Sequence, residues 1–451
     1  MSIALIILAA GKGTRMNSDL PKVLHPIANA PMLIHAMQAG QALSPEKTLV
    51  VAGHGAELVA KEVSDFDPDA EVVLQEEQKG TAHAVDMCRE ALANFDGDVI
   101  VLFGDTPFVR AETLENMVAA KERNAVVVLG FDAADPGKYG RLIMNGDQLK
   151  RIVEFADASA DERAVTFCNS GVMLVESKTL FDLISAISSN NAQGEYYLTD
   201  IVGLAREKGL NVTAVSCDEA ETLGINSRAH LAEAEGIFQK NARAELLDLG
   251  VTLQQPETVM LSFDTVIGRD TVIEPNVYFG PHVTVESGTR IRAFSHLEGC
   301  HVSRGATVGP YARLRPGAEL SENVHIGNFV EIKNAEVGEG TKVNHLSYIG
   351  DATLGSGTNI GAGTITCNYD GVMKHRTTIG NRVFIGSNTM LVAPVTVGDE
   401  AMTGSGSVIT KNVPATDLAL SRADQINKPG VARKLFDLLK KKKQEQISET
   451  K

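Results

Sequence analysis

The chain has 451 residues, 43% of them hydrophobic and 22% charged, with no tryptophan and a formal net charge of −15. Such a length predicts two or three domains, and the acidic balance excludes a protein that gains affinity by neutralising nucleic-acid phosphates. Five cysteines (Cys88, Cys168, Cys217, Cys300, Cys367), odd in number and without metal-like spacing, predict a reduced, cytoplasmic protein.

The apolar stretch Ile3–Ala10 is short, lacks a preceding basic region and runs into Gly11-Lys12-Gly13. It reads as a buried strand, not a signal peptide, and no run approaches the roughly eighteen apolar residues of a membrane span. Residues 1–226 alternate apolar strands with amphipathic helices. Strands are expected over Ile3–Leu8, Thr48–Ala52, Val72–Gln75, Val99–Phe103, Val126–Gly130 and Val165–Leu174. Helices are expected near Met32–Ala42, Thr81–Leu92, Ala111–Arg123 and Lys178–Ile187. This alternation predicts a parallel α/β sheet with ligands at the carboxyl ends of its strands. Over 227–250, Leu231, Ala234, Phe238, Ala242, Leu246 and Leu249 recur at helical steps before Gly250, a linker helix with a glycine stop.

Residues 251–430 carry a different period. Large aliphatic or aromatic residues fall at Ile267, Ile273, Phe279, Val285, Ile291 and Leu297, and again at Val302, Val308, Leu314, Leu320, Ile326 and Ile332. The series runs on through Val337, Val343, Ile349, Leu354 and Ile360. After a gap it returns at Ile379, Ile385, Leu391 and Val397, then Met402 and Val408. Two residues ahead of most of them stands a small or β-branched residue, as at Thr271, Thr289, Ala312 and Thr341. A period of six suits neither a helix nor a flat strand. It predicts a parallel β-helix whose three-sided coil takes about eighteen residues. The segment 431–451, with Lys440–Lys443, reads as a basic solvated tail.

Two elements of the first domain carry chemistry. Leu8-Ala9-Ala10-Gly11-Lys12-Gly13-Thr14-Arg15-Met16, followed by Leu20-Pro21-Lys22, fits neither the dinucleotide fingerprint nor the P-loop. It is either an ordinary turn or a phosphate cradle in which backbone N–H groups and the cations Arg15 and Lys22 meet an anion. Asp105, after the apolar strand, is either a helix N-cap before Thr106-Pro107 or a Mg²⁺ ligand at the sheet edge. In the β-helix, Arg315 and Lys333 occupy a position that is usually small, eighteen residues apart, so they stack in adjacent coils. Neighbouring like charges destabilise a scaffold, which favours an anion site over two solvated cations. His345 and Tyr348 follow within a further coil, with Ala362 above His345, and the segment Cys367–Arg376 interrupts the repeat as an ejected loop. Cys367 on that loop is given no catalytic role.

The signature Leu8–Met16 with Leu20-Pro21-Lys22 resembles that of the sugar-nucleotide pyrophosphorylases. Gln75, Gly80-Thr81, Tyr139-Gly140-Arg141, Glu154, Asn169 and Asn191–Asp200 are similar to the bacterial bifunctional N-acetylglucosamine-1-phosphate uridylyltransferase/glucosamine-1-phosphate N-acetyltransferases, as are Arg313–Gly317, Asn328–Glu331, His345–Tyr348 and Asn359–Asp370. The resemblance implies an α/β Rossmann-like nucleotidyltransferase domain, a linker helix and a left-handed parallel β-helix of hexapeptide repeats. It implies that Leu8, Ala9, Ala10, Gly11, Gln75, Gly80 and Thr81 hold uracil and ribose of UTP, and that Arg15 and Lys22 contact the triphosphate. Asp105 and Asn226 would ligate Mg²⁺, and Gly140, Glu154 and Asn169 would hold the sugar. In the β-helix, Arg315, Lys333, Tyr348, Asn359 and Lys374 would bind glucosamine 1-phosphate, and His345 would be the general base. Ala362, Asn368, Tyr369, Ser387, Ser405 and Arg422 would line the acetyl-CoA site, and family members associate as trimers. Two positions depart from the family pattern, Phe155 for a histidine and Phe167-Cys168 for a polar pair. The rival reading is a single-activity sugar-1-phosphate nucleotidyltransferase whose β-helix serves only assembly or regulation. Arg315, Lys333, His345 and the loop argue against it, because an assembly module has no use for them.

Overall fold

The computed structural model describes residues 2–191 and 194–449, and Ala192 and Gln193 of the Asn191–Asp200 motif lie outside the described residues. The chain divides into two compact units, one of residues 1–245 with Leu261–Asp264, the other of Leu246–Met260 with residues 265–451. Among the described residues no helix is long and apolar enough to cross a membrane.

The first unit is built on a nine-stranded sheet whose central strand, Ile3–Ala9, is buried along its whole length. Its neighbours Lys47–Ala52 and Asp98–Phe103 run parallel to it, and Glu71–Leu74 lies beyond Lys47–Ala52. The expected all-parallel sheet is in fact mixed. Phe167–Glu176 pairs antiparallel with both Asp98–Phe103 and Val126–Asp132, and carries the hairpin Arg141–Asn145/Gln148–Val153 on its flank. Alternating apolar and polar residues predict a strand but not its direction, so the reversal escapes a reading of local pattern. Buried side chains from both faces of Ile3–Ala9 seed two cores, one with Ala4, Ile6 and Leu8, the other with Leu5, Ile7 and Ala9. The helix Arg228–Asp248 packs Ala234 against Ile27, Met32 and Ile225, and its Gln239 side chain pairs with both backbone groups of Leu261 at 2.9 and 2.7 Å.

The second unit is a parallel β-helix. Short strands two to seven residues long stack with parallel registers, such as Ile273 on Ile291, Val308 on Ile326 and Ile326 on Val343. Those aliphatic side chains are fully buried, each contributing about 1.5–3 kcal/mol by removal from water. The small positions are buried too, and their hydroxyls satisfy corner carbonyls, as Thr364 does for Gly361 at 2.7 Å and Thr389 for Gly386 at 2.6 Å. The corners need left-handed backbone, taken by Phe294, Tyr311, Phe329 and Leu346 in one column. One expectation fails near the end of the helix. Met402 and Val408 are about half exposed, and Thr403 and Ile409 point inward instead, in register with Ile385 and Leu391. The chain keeps its step of six from Val397 to Thr403, but the larger neighbour Met402 masks it in a reading that weights side-chain size.

Ile332 is fully buried between Leu314 and Ile349. Replacing it with alanine is expected to destabilise the β-helix unit by about 2–5 kcal/mol, read as a lower denaturant midpoint of that unit's unfolding.

Candidate active sites

In the first unit three carboxyl ends of parallel strands deliver the site. Leu8 pairs in register with Phe103, and the Gly104 N–H donates to the Leu8 carbonyl at 3.0 Å, so the glycine-rich turn and Asp105 emerge side by side. Gln75 follows the strand beyond, its N–H donating to the Ala52 carbonyl at 2.8 Å. The glycines are required by close approach. Gly13 has φ 59°, and a Cβ there would lie 2.5 Å from the Lys22 Cβ. Gly80 has φ 114°, and a Cβ there would lie 2.5 Å from the Tyr196 carbonyl oxygen, which accepts from Ala82 at 3.0 Å.

Lys22 Nζ forms an ion pair with Asp105 Oδ2 and donates to Asn226 Oδ1 at 3.1 Å, while Arg15 Nη2 donates to the same oxygen at 2.9 Å. The Ile225 N–H donates to the Asp105 carbonyl at 3.0 Å, tying the distant Asn226 segment to the sheet edge. Asp105 is therefore no N-cap: the next helix starts at Ala111, after Arg110. Lys22 and Asp105, but not Arg15 or Asn226, line a cavity of about 240 Å³ with Leu8, Ala9, Ala10, Gly11, Gln75, Gly80 and Thr81 among others. Glu195, of the Asn191–Asp200 motif, and Gln78, not singled out from the sequence, line it as well, and the Gln78 amide donates to the Ala10 carbonyl. Gln75 stands beside His83 at 3.0 Å.

A second cavity of about 470 Å³ shares Thr81, Phe103 and Glu195 with the first and is lined further by Glu154, Phe155, Asp157, Asn169 and Thr199. The Asn169 N–H donates to the Gly140 carbonyl at 2.8 Å, and a Cβ on Gly140 would crowd both Glu154 carboxylate oxygens at 3.4 Å. Burial raises the Glu154 carboxyl above the ordinary range, aided by Asp200 and Asp157. Of the two departures, only Phe155 reaches this cavity, its ring 4.6 Å from the Arg163 guanidinium carbon. Cys168 is buried against Phe131 and Ala133, its thiol raised by burial.

In the β-helix unit the expected residues fall at two corners of the coil. At the first, His345 sits in register above Asn328, whose Oδ1 accepts from Nδ1 at 2.8 Å. Asn328 thereby orients the imidazole through Nδ1. Above it the column continues: Gly363 N–H donates to the His345 carbonyl at 3.2 Å, Asn388 N–H to Ala362 at 2.6 Å, and Gly406 N–H to Ser387 at 2.8 Å. Arg422 Nη1 donates to the Ser405 carbonyl at 2.6 Å. At strand spacings of roughly 4.8 Å, the three steps from His345 to Ser405 span about 14 Å. Asn359 lies on the strand below this corner, between Lys342 and Phe384.

The second corner holds the cations. Arg315 follows Leu314, which pairs with Ile332, and Lys333 pairs with Gly350. Glu331, part of the Asn328–Glu331 motif but given no role from the sequence, accepts from Arg315 Nη1 at 2.9 Å and lies 3.7 Å from Arg313. Tyr348 folds its hydroxyl over Gly350, where a Cβ would lie 2.3 Å away. Asn368 donates to that hydroxyl at 3.5 Å, and Tyr369 donates to Gly371 at 2.6 Å within the loop that carries Lys374. Between the two corners runs the strand segment Tyr348–Gly350, bounded by left-handed Leu346 and Asp351.

A cavity behind a glycine-rich turn, in one unit, and an imidazole at one corner and cations at another of a β-helix, in the other, are the two candidate sites of a transferase. Residues 5–198 match the MobA-like NTP transferase domain, and 264–299 and 376–411 match the bacterial transferase hexapeptide (six repeats), whose β-helix is left-handed. The chain is 71% identical to the Bifunctional protein GlmU of Ruegeria sp. (strain TM1040), over 98% of this chain and 99% of that protein. It is 70% identical to that of Ruegeria pomeroyi over 100% of both chains, and 60% identical to that of Jannaschia sp. (strain CCS1) over 97% and 96%. The chain belongs to the family of bifunctional GlmU proteins. Its two activities are uridylyl transfer and acetyl transfer in the synthesis of UDP-N-acetylglucosamine.

Because Gly80 admits no Cβ, Gly80→Ala is expected to raise the KM for UTP at least about ten-fold while leaving acetyl transfer unchanged. Steady-state kinetics of both reactions on one preparation check this.

Proposed function

We propose that the first unit couples UTP to N-acetylglucosamine 1-phosphate in its two joined cavities. The nucleotide occupies the cavity of Leu8–Gly11, Gln75, Gly80 and Thr81, and the sugar contacts Glu154 and Asn169 in the other, with Gly140 beside them through its carbonyl on the Asn169 N–H. The sugar phosphate is already an anionic nucleophile, so the site must align it with the α-phosphorus and offset charge as pyrophosphate leaves. Arg15 and Lys22 supply that charge, Lys22 exchanging Asp105 for phosphate oxygens. Asp105 and Asn226 present converging oxygens around Lys22, a donor set that suits a hard divalent cation also bound by phosphate. Mg²⁺ held there would supply further neutralisation of the triphosphate. Asp105→Ala is expected to lose Mg²⁺-dependent pyrophosphate formation, by about a hundred-fold or more, while acetyl transfer survives; equal loss of both reactions would overturn the assignment.

The β-helix unit acetylates glucosamine 1-phosphate. The observation that carries this reading is the His345–Asn328 hydrogen bond at 2.8 Å, which holds an exposed imidazole by Nδ1 at the foot of the Ala362–Ser405 column. Nε2 takes a proton from the substrate amine, because an ammonium group cannot attack a thioester. Acetyl-CoA lies along Ala362, Ser387, Ser405 and Arg422, reaching Asn368 and Tyr369. The phosphate meets Arg315, Lys333 and Lys374, and Tyr348 and Asn359 hold the sugar. His345→Ala is expected to reduce thiol release from acetyl-CoA by about 10²–10⁴-fold with uridylyl transfer intact, and unimpaired release would remove His345 from this role.

The protein acts in the cytoplasm as a homotrimer assembled through the β-helix. Supporting this, the corner next to His345 exposes a stacked apolar ladder, Phe294 on Tyr311 at 4.9 Å and Tyr311 on Phe329 at 5.2 Å, continued by Leu346. Exposed contiguous apolar surface of this kind marks an interaction site. Phe329→Asp is expected to lower the sedimentation mass from three chains to one and to abolish acetyl transfer; an unchanged mass would exclude this ladder from assembly.

A further inference from the structure

We propose that Asp351 is a positioning residue for acetyl transfer, a buried carboxylate that holds Lys333 and Lys374 converged on the phosphate of the sugar substrate. The inference rests on the reading of Arg315, Lys333 and Lys374 as the phosphate site.

Asn334, Asp351 and Asn368 follow one another at the same corner in three successive coils. Asn334 Nδ2 donates to Asp351 Oδ1 at 2.6 Å, and Asn368 Nδ2 donates to Asp351 Oδ2. Each carboxylate oxygen thus has its own amide donor, and the residue is only 8% exposed. Asn334 and Asp351 both take left-handed backbone, at φ 44° and 47°. A third asparagine would suit the architecture equally well, since it tolerates that conformation and offers both a donor and an acceptor to the ladder. A buried ion instead carries a desolvation cost. The chain nevertheless places an ionisable group in the coil next to Lys333.

The ejected loop supplies the reason. Asn368 opens it, and the His375 N–H donates back to the Asn368 carbonyl at 2.8 Å. Inside the loop Asp370 accepts from the N–H groups of Val372 and Met373 at 2.8 and 2.7 Å, and His375 Nε2 lies 2.7 Å from its carboxylate. Braced in this way, the loop is carried on Asn368, and Asn368 is fastened to Asp351. The loop carries Lys374, six residues beyond Asn368, into the electrostatic range of Lys333. Two ammonium groups at that range repel, and Lys374 lowers the Lys333 amine below the ordinary lysine range, with burial and Arg315 acting the same way. Asp351 opposes them. Burial pushes the Asp351 carboxyl up, but the two amides and the two lysines outweigh it and hold it below the usual carboxylate range. One carboxylate therefore both anchors the loop and offsets the repulsion that the loop creates.

The sign of the effect follows. Without the negative charge, Lys333 loses its proton at a lower pH, and phosphate binding falls away earlier on the alkaline side. Acetyl transfer by Asp351→Asn is expected to show a KM for glucosamine 1-phosphate raised about ten-fold, with the basic limb of kcat/KM moved about one pH unit toward acid. Uridylyl transfer on the same preparation should be unchanged, and Asp351→Glu should return the limb toward its wild-type position. A basic limb left in place in Asp351→Asn, whatever happens to kcat, would overturn the proposal, since a merely architectural corner behaves that way. Should Asp351→Asn not fold, titration of isotopically dimethylated lysines in the otherwise wild-type protein and in Lys374→Met decides instead. A depressed Lys333 that recovers in Lys374→Met is the expected result, and a Lys333 that titrates normally in both proteins overturns it. Failure of the underlying phosphate-site reading looks different: Lys333→Ala and Lys374→Ala would then leave the KM for glucosamine 1-phosphate unchanged.

Discussion

The second site depends on one constraint, the stacking of each coil directly on the one below at a single strand spacing. Parallel backbone ladders hold the coils together, and fully buried columns such as Ile273–Ile291–Val308–Ile326–Val343 fix their register. Because the register cannot slip without moving every inward side chain to the wrong face, any residue outside the aliphatic column is located relative to its neighbours above and below. His345 is placed over Asn328, and Lys333 after an Ile332 seated on Leu314, by the same ladder that buries the core. The scaffold's regularity is what makes its exceptions into a site.

Both candidate sites gather cations against fixed acceptors. In the first unit Lys22 rests on Asp105 and Asn226, and Arg15 shares the Asn226 oxygen. In the β-helix Arg315 rests on Glu331, and Lys333 and Lys374 lie near Asp351. Each acceptor is bound to the fold through a second interaction: Asp105 through the Ile225 N–H, Asp351 through two asparagine amides. Phosphate oxygens can then replace or join these acceptors without the cations having to be assembled from solvent, which is preorganisation in its electrostatic form.

Much of this was legible in the residues. The period of six identified the β-helix and placed Arg315 over Lys333 and Ala362 over His345. The glycine-rich turn stands at the mouth of a cavity, and the family resemblance named the further residues Gln75 and Gly80 that line it and Asn226, which bonds to its Lys22. What the residues hid has specific causes. The antiparallel strand Phe167–Glu176 has the same local pattern as a parallel one. Thr403, the residue that points inward, was masked by its larger neighbour Met402. Gln78, Glu331 and Asp351 meet residues far away or on the next coil, Glu331 on Arg315 and Gln78 on Ala10, and those contacts are not readable from the residues beside them.

The sequence by itself determined the periodicities, and with them the two architectures, the buried columns and the positions at which charge breaks the rule. Those are local or repetitive properties, set by side-chain size and spacing along the chain. Only the tertiary structure decided strand direction, the pairing of Asp105 with Lys22 and of Asn328 with His345, and the burial of Asp351 between two amides. Each of those is a meeting of groups on different strands, coils or loops, and a hydrogen bond or ion pair between them exists only once folding has closed the distance.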